Sequence, residues 1–298
     1  MAVEQKEKMV KKQHYVPRFY LNFFTDEKER LNVYDFIKSQ FIYSKPKDIC
    51  MEKYLYETEW ENADKRLGRY ILPNRIENSY RILERDSAEV LRKIIKKSEL
   101  DNKNISNVCS KKEKQVLFGF IANLFVRNLH TINEIEMNDI SDVIDNDDIK
   151  PYIQLFEKIG WGGGESFIRA VSKDCYLNPE IENGFYNNVY NNIKDLKYMF
   201  YKSEKDIFVT SDFPVMIGTD NTIKTNNKLT IAFPISPRVF LIIGNFPKVK
   251  KFSNCMVAVK ESEAFMLSCH YVNSNSQRCR FVISSSEQML KKILGFKE

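Results

Sequence analysis

The spacing of the apolar residues changes along this chain, and that change limits the folds open to it. From about residue 74 to residue 195, apolar positions recur at the three- and four-residue spacing of amphipathic helices. The last third instead has short apolar runs typical of strands, at 197–201, 207–210, 230–235 and 238–244. Near the N-terminus, apolar and polar residues alternate at 31–36, and the apolar run 41–43 follows after a charged turn, which predicts a hairpin.

These segments predict a single domain of the α+β class. A mixed or antiparallel sheet from the C-terminal third, which the N-terminal hairpin is able to join, is expected to pack on the helical middle segment. The predicted domain covers residues 13–298 and follows a solvated tail at 1–12. We also expect a helix between Glu59 and Pro73, and an acidic loop or insertion near 134–150, with a poorly packed helix as the alternative there.

Several classes of protein are disfavoured by the composition. No apolar run reaches the roughly 20 residues that a membrane-spanning helix needs. Residues 1–13 are charged and lack the apolar segment of a secretory signal. The cysteines form no C-x-x-C pair, which argues against a zinc ribbon or a redox motif. We therefore expect a cytoplasmic protein without a membrane partner.

The charge is distributed unevenly. The chain has 46 basic and 40 acidic residues, a net charge of +6, but seven acids and no base lie between Glu134 and Ile149. Removing these seven acids leaves 33 against 46 basic residues, a net charge of +13 for the remainder. Such a surface attracts phosphate backbones, and the bases Lys248, Lys250 and Lys251 form one cluster suited to that purpose. The alternative is that each cluster is a solvated face.

A long helix is predicted to begin after Ser110. Ser110 and Glu113 have the spacing of a capping box, in which each side chain accepts a hydrogen bond from the other residue's backbone amide. Continuing the helical repeat places Arg127 and Asn128 on or beside the apolar stripe. Two polar side chains are therefore expected to point inward.

His14 is the most informative of the three histidines. It lies in the segment QHYVPRFYLN, where Arg18 and Asn22 follow at four and eight residues and can share one face of a short helix. A histidine beside an arginine can serve as an acid or base next to an anion clamp. The alternative is structural: the histidine caps the helix, and the arginine pairs with a core carboxylate.

The chain resembles the bacterial domain-of-unknown-function family 4238. The resemblance is carried by QHYVPRFYLNFF, by the RN of FVRN, by FVTSDFPV and by FPISP, in this order along nearly the whole chain. The first motif is specific and the last two are supportive. Phe213 departs from the SDNP form of the turn. The resemblance implies no established activity, but it implies a single-domain bacterial protein and one cluster made of His14, Arg18, Asn22, Arg127, Ser211 and Asp212.

Asp212 has two interpretations. It ends a predicted strand before Pro214, where a loop can present a carboxylate to a cleft and orient His14 by accepting its second ring N–H. Alternatively, an aspartate two residues before proline is simply a turn former.

The leading hypothesis is a metal-independent, ribonuclease-like phosphodiesterase that needs no cofactor and whose partner is RNA or another nucleic acid. Two alternatives stay open. One is a non-enzymatic binding or regulatory module with a buried polar network in which Arg18 or Arg127 pairs with Asp212 or Glu77, and the other is a metal-dependent hydrolase. The hypothesis assigns catalysis to His14, Arg18, Arg127 and Asp212, and substrate binding to Asn22, Asn128, Ser211, Lys248, Lys250 and Lys251.

Overall fold

The structure is a computed structural model, and it describes residues 9–61, 68–160, 162, 164–219, 229–244 and 253–296. Helices dominate the middle of the chain, and one further long helix lies near the C-terminus. A 3-10 turn at Asn22–Phe24 follows the first helix directly. The helices are α1 Arg18–Leu21, α2 Arg75–Ser98, α3 Lys111–Val126, α4 Leu129–Met137, α5 Ser141–Ile144, α6 Lys150–Lys158, α7 Gly164–Leu177, α8 Phe185–Ile193, α9 Glu261–Asn275 and α10 Glu287–Ile293.

The strands lie at the two ends of the chain. In the N-terminal part they are β1 Lys12–His14, β2 Leu31–Asp35, β3 Gln40–Ser44, β4 Met51–Lys53, β5 Thr58–Glu59, β6 Tyr70–Ile71 and β7 Asn104–Ser106. In the C-terminal part they are β8 Lys197–Lys202, β9 Thr210–Ser211, β10 Met216–Thr219, β11 Leu229–Ser236, β12 Val239–Gly244, β13 Cys255–Ala258 and β14 Phe281–Ser284.

In the described residues, a six-stranded sheet has the order β10-β11-β12-β8-β13-β7, and a four-stranded sheet has the order β3-β2-β14-β9. Within these two sheets, the pairs formed by described residues are antiparallel except β13 with β8, which is parallel. The N-terminal hairpin β2–β3 joins the C-terminal part of the chain through β14, as predicted. Shorter pairs connect β1 with β4 and β5 with β6.

The six-stranded sheet separates two apolar clusters. Its strand β12 is buried along its whole length, and successive side chains of a strand point to opposite faces. Val239, Leu241 and Ile243 pack in the cluster that contains the apolar side of α3. Phe240 and Ile242 pack in the cluster that contains residues of α9 and α10. The helical middle and the C-terminal helices thus cover opposite faces, which confirms the α+β class.

The predicted start of α3 is also confirmed. The Ser110 hydroxyl accepts from the Glu113 amide at 3.2 Å, and the Glu113 carboxylate accepts from the Ser110 amide at 2.8 Å. From this start, α3 reaches its last residue, Val126, beside the N-terminal segment, and Arg127 and Asn128 are buried as expected. The helix therefore sets the position of the candidate site.

Two local predictions, the helix before Pro73 and the strand at 207–210, were wrong. Instead of a helix between Glu59 and Pro73, Thr58–Glu59 and Tyr70–Ile71 pair as strands, and 62–67 lie outside the described residues. The acidic stretch near 134–150 holds the end of α4, the short helix α5 and a turn, with mostly exposed side chains, in agreement with the expected loop or poorly packed helix.

The strand expected at 207–210 is reduced to Thr210–Ser211. Its first two residues leave the sheet because the amides of Ile207 and Phe208 both donate to the Pro237 carbonyl. At the other end of the chain, β1 begins at Lys12 within the segment predicted to be a solvated tail, and 1–8 lie outside the described residues.

Candidate functional site

The strand pair β1–β4 fixes the N-terminal motif. Its register places Gln13 opposite Glu52 and His14 opposite Met51. The Gln13 amide is fully buried, donating to Glu57 Oε1 at 2.7 Å and accepting from the Tyr56 backbone amide at 2.8 Å. The strand is therefore held by side-chain bonds as well as by its ladder, which fixes the backbone that carries His14.

The His14 ring is half-buried and uncharged at neutral pH. Burial lowers the pKa of His14 to about 4, with further lowering by the positive charges of Arg18 and Arg127; backbone groups of Pro46 and Lys47 act in the opposite direction. The ring atom Nε2 is buried and has no hydrogen-bond partner among the described residues. A neutral imidazole has one nitrogen that can accept a proton.

Arg127 lies directly after α3 and is 1% exposed. Its Nη1 donates to Glu84 Oε1 at 2.7 Å and to Asn123 Oδ1 at 3.0 Å. Its Nη2 donates to the His14 carbonyl oxygen, and the guanidinium carbon lies 4.3 Å from the centre of the Tyr80 ring. Arg127 thus ties the N-terminal motif to α2 and α3.

Helix α2 contributes two carboxylates next to Arg127. Burial raises the pKa of Glu77 to about 7, and Glu84 adds to the rise, while Arg127 opposes it. The Oε2 atom of Glu77 is buried without a hydrogen-bond partner in the described residues. Glu77 is therefore close to half-protonated at neutral pH, a state suited to general acid–base chemistry.

Unsatisfied polar atoms gather around this arginine. His14 Nε2, Glu77 Oε2, Asn123 Nδ2 and Arg127 Nε are all buried and lack a hydrogen-bond partner within the described residues. Because most buried polar atoms in folded proteins are bonded, such a concentration marks these residues as a candidate site. The Arg127 cluster consists of His14, Tyr56, Glu77, Tyr80, Glu84, Asn123 and Arg127.

Asp212 lies in a different environment. Its carboxylate accepts from the Phe281 amide at 3.0 Å and from the Arg280 amide at 3.2 Å. Burial raises the pKa of Asp212 to about 6, although these amide hydrogen bonds lower it. In the part of the chain that the structure describes, no hydrogen bond joins Asp212 to His14; the charge of Asp212 instead acts on the buried groups of Tyr15 and Cys50. The direct contact proposed from sequence is not formed.

One comparison with known proteins gives a match. The profile of the family described as "Protein of unknown function (DUF4238)" matches residues 12–288. The chain belongs to the DUF4238 family. No curated protein and no solved structure matches it.

The other candidate residues predicted from the sequence of this DUF4238 chain do not belong to the Arg127 cluster. Arg18 and Asn22 are exposed at the short helix α1. Asn128 caps α4, accepting from the Thr131 amide at 3.0 Å. Ser211 is fully buried, donating to the Phe213 carbonyl at 2.8 Å. The three bases Lys248, Lys250 and Lys251 lie outside the described residues.

Sequence reasoning missed most of the α2 contribution to the site of this DUF4238 chain. Glu77 entered only as a pairing partner, and Arg127 pairs with Glu84 instead. The available signal was the spacing of Glu77, Tyr80 and Glu84, which places three polar groups on one face of α2.

Searched over the described residues, the chain has no group of three or more His, Cys, Asp or Glu side chains arranged to hold a metal ion. Over the same residues, no helix is long and apolar enough to span a bilayer.

Proposed function

We propose that this chain is a phosphodiesterase that cleaves RNA without a metal ion, at the Arg127 cluster. The observation that carries the proposal is that His14 Nε2 and Glu77 Oε2, one a free base and one a half-protonated acid, are both buried and unpartnered beside Arg127. Asp212 is left out of the reaction, because its carboxylate is already bonded to two backbone amides.

The two titrating groups suit an internal transfer on RNA. His14 Nε2 takes the proton of a ribose 2′-hydroxyl as its oxygen bonds to phosphorus, and Glu77 gives its proton to the departing 5′-oxygen as the P–O bond breaks. The products are a 2′,3′-cyclic phosphate and a 5′-hydroxyl end. A bound phosphate beside Arg18 also offsets the charges that lower the His14 pKa, which strengthens the base.

The arginines provide the charge for such a substrate. Arg18 is exposed next to His14 and can contact a phosphate, whereas buried Arg127 stabilises developing negative charge through its position. The net charge of +13 outside the acidic stretch supports attraction to the RNA backbone.

Cleavage of a fluorophore- and quencher-labelled single-stranded RNA in the presence of EDTA tests the proposal. We expect cleavage by the wild type, and a rate lower by about 10²-fold or more in His14→Ala and in Glu77→Gln, with little change of melting temperature for His14→Ala. A substrate with a 2′-deoxyribose at the scissile position should resist cleavage. His130→Ala and Glu204→Gln, at exposed sites elsewhere, are the matched controls and should retain the wild-type rate.

A second measurement tests the partner class. The logarithm of RNA affinity should fall linearly with the logarithm of salt concentration, and charge reversal at Lys248, Lys250 and Lys251 should flatten that slope. Activity that EDTA abolishes would favour the metal-dependent alternative. Absence of both cleavage and salt-dependent binding would overturn the nuclease proposal.

A non-enzymatic binding module is the second candidate. It is favoured by the bonds that Arg127 makes to Glu84, Asn123 and the His14 carbonyl, since these are the contacts of a structural arginine. On this alternative, His14→Ala and Glu77→Gln change stability and leave RNA intact at every protein concentration.

A further inference from the structure

An apolar groove lies between α5, α6 and α7. Its volume is about 440 Å³, and it is lined mainly by apolar side chains, among them Tyr152, Phe156, Phe167, Val171 and Tyr176. Tyr152 is 63% exposed and Tyr176 is 41% exposed. A cluster of exposed apolar side chains bordered by polar ones is typical of a binding site.

The groove has helical walls. It lies between α6 and α7, and the lining part of α7, from Phe167 to Tyr176, is roughly 15 Å long at about 1.5 Å per residue. Helices bind such grooves by inserting apolar side chains at three- and four-residue spacing. The aromatic residues Phe156 and Phe167, whose ring centres are 4.8 Å apart, are among the lining residues.

Acidic residues border one end of the groove. Asp145, Asp147 and Asp148 are exposed on the turn between α5 and α6, which also supplies the lining residue Ile149. Asp145 lies 3.7 Å from Lys150, whereas Asp147 and Asp148 form no ion pair with any described residue. These carboxylates belong to the segment of seven acids in an otherwise basic chain. They favour a positively charged occupant and oppose a negatively charged one.

We propose that this groove is the docking site for a basic amphipathic helix of a partner protein. The apolar face of that helix covers Tyr152, Val171 and Tyr176, and its basic residues meet Asp147 and Asp148. This interaction is independent of RNA cleavage, because the groove shares no residue with the Arg127 cluster.

A model peptide tests the docking site. The probe is a helix of about 18 residues built from Leu and Lys, which matches the length of α7 with a turn to spare. We expect saturable binding of this peptide by fluorescence anisotropy, and binding at least tenfold weaker for a scrambled peptide of the same composition and for the same helix with Glu in place of Lys. Equal affinity for the Glu-containing helix would overturn the proposal.

Apolar substitutions locate the peptide. Tyr152→Ser with Val171→Ser should weaken binding about tenfold at both low and high salt, whereas Met266→Ser, at a similarly exposed site on α9, should leave it unchanged. Equal effects of the two changes would show that the peptide binds elsewhere. If sedimentation shows that the wild type self-associates and that Tyr152→Ser with Val171→Ser makes it monomeric, a second copy of the chain occupies the groove and the proposal fails.

Charge reversal tests the acidic border. Asp147→Lys with Asp148→Lys should weaken binding about tenfold at low salt and much less at high salt, since salt screens exposed charges. Glu27→Lys with Asp101→Lys adds the same charge at exposed positions away from the groove and should change affinity far less. Equal losses in the two variants would mean that only net charge matters and would overturn the assignment.

Discussion

The Arg127 cluster and the turn at Asp212 both bury a carboxyl group whose pKa is raised, yet they differ in how their polar atoms are bonded. Both oxygens of Asp212 accept backbone amides, and the neighbouring Ser211 hydroxyl donates to a carbonyl. Glu77 has an oxygen without a partner, and His14 has a nitrogen without one, among the described residues. The turn at Asp212 therefore has its hydrogen-bonding groups satisfied, whereas the Arg127 cluster has donors and acceptors that are still free to bond.

This difference shows that burial and a shifted pKa do not by themselves indicate function. A carboxylate that is buried to hold a turn has the same direction of shift as one that is buried to react. The distinguishing feature is whether the group still has a free donor or acceptor, since a satisfied group has nothing left to offer a substrate. Stability and pH measurements can test that distinction directly.

The largest effect is expected from Arg127→Met. The change removes the bonds to Glu84, Asn123 and the His14 carbonyl and leaves two carboxylates of α2 without their buried cation. Breaking such a pair from one side costs about 3–5 kcal/mol. Urea unfolding should show this loss in the free energy of unfolding. A loss below about 1 kcal/mol would mean that Arg127 is not the link between the N-terminal motif and α2.

The next effect concerns Glu77 and pH. The pKa of Glu77 is raised from 4.5 to about 7 in the folded protein, so between these values the unfolded chain releases the proton first. Glu77 therefore lowers stability as pH rises from about 4.5 to about 7, by up to about 3 kcal/mol. Glu77→Gln should remove this decline. The free energy of unfolding of the variant relative to the wild type should therefore rise across that pH range and stay constant above it.

Unfolding curves at several pH values measure the difference between Glu77→Gln and the wild type. Glu204→Gln, at an exposed position, is the control and should give a difference that does not depend on pH. A flat difference for Glu77→Gln as well would mean that Glu77 is solvated, which would remove the acid from the proposed reaction.

Asp212→Ala is expected to have a smaller effect and to separate the two regions. The change leaves the amides of Arg280 and Phe281 without an acceptor, at a cost of about 2 kcal/mol. Urea unfolding should detect this loss, while the RNA cleavage rate per folded molecule should stay at the wild-type value. Loss of cleavage without loss of stability would reverse the comparison and make Asp212 the reacting carboxylate.

The fold was largely predictable because its determinants are local. Ser110 and Glu113 mark the start of α3 within four residues, and the continuous apolar runs of β11 and β12 indicate strands that are buried on both faces. The failures have local causes as well. Residues 207–210 look like a strand by composition, but the Pro237 carbonyl takes the amides of Ile207 and Phe208 away from the sheet.

The candidate site was only half predictable for a different reason. That Arg127 points inward follows from the helical repeat of α3, but its partner depends on how α2 packs against α3. Periodicity places Glu77 and Glu84 on one face of α2 without indicating which of them reaches the guanidinium. In the same way, sequence shows that Asp212 ends a strand, but not that the amides of β14 occupy its carboxylate.

The smallest effect is expected from the charge state of His14. Its pKa falls from 6.5 to about 4 on folding, so stability is complete above about 6.5 and is lost as pH falls towards about 4. Because the ring is partly exposed, the loss should be about 1–2 kcal/mol. Titration of Glu77 changes stability in the opposite direction over much of this range. The comparison is therefore made without Glu77, between the single variant Glu77→Gln and the double variant Glu77→Gln with His14→Gln. The double variant should lose less stability than the single variant between pH 6.5 and pH 4, as measured by urea unfolding.

If the free energies of unfolding of the two variants change with pH in parallel, His14 is protonated as easily in the folded chain as in the unfolded one. The ring would then lie in water, and the Arg127 cluster would have no buried base.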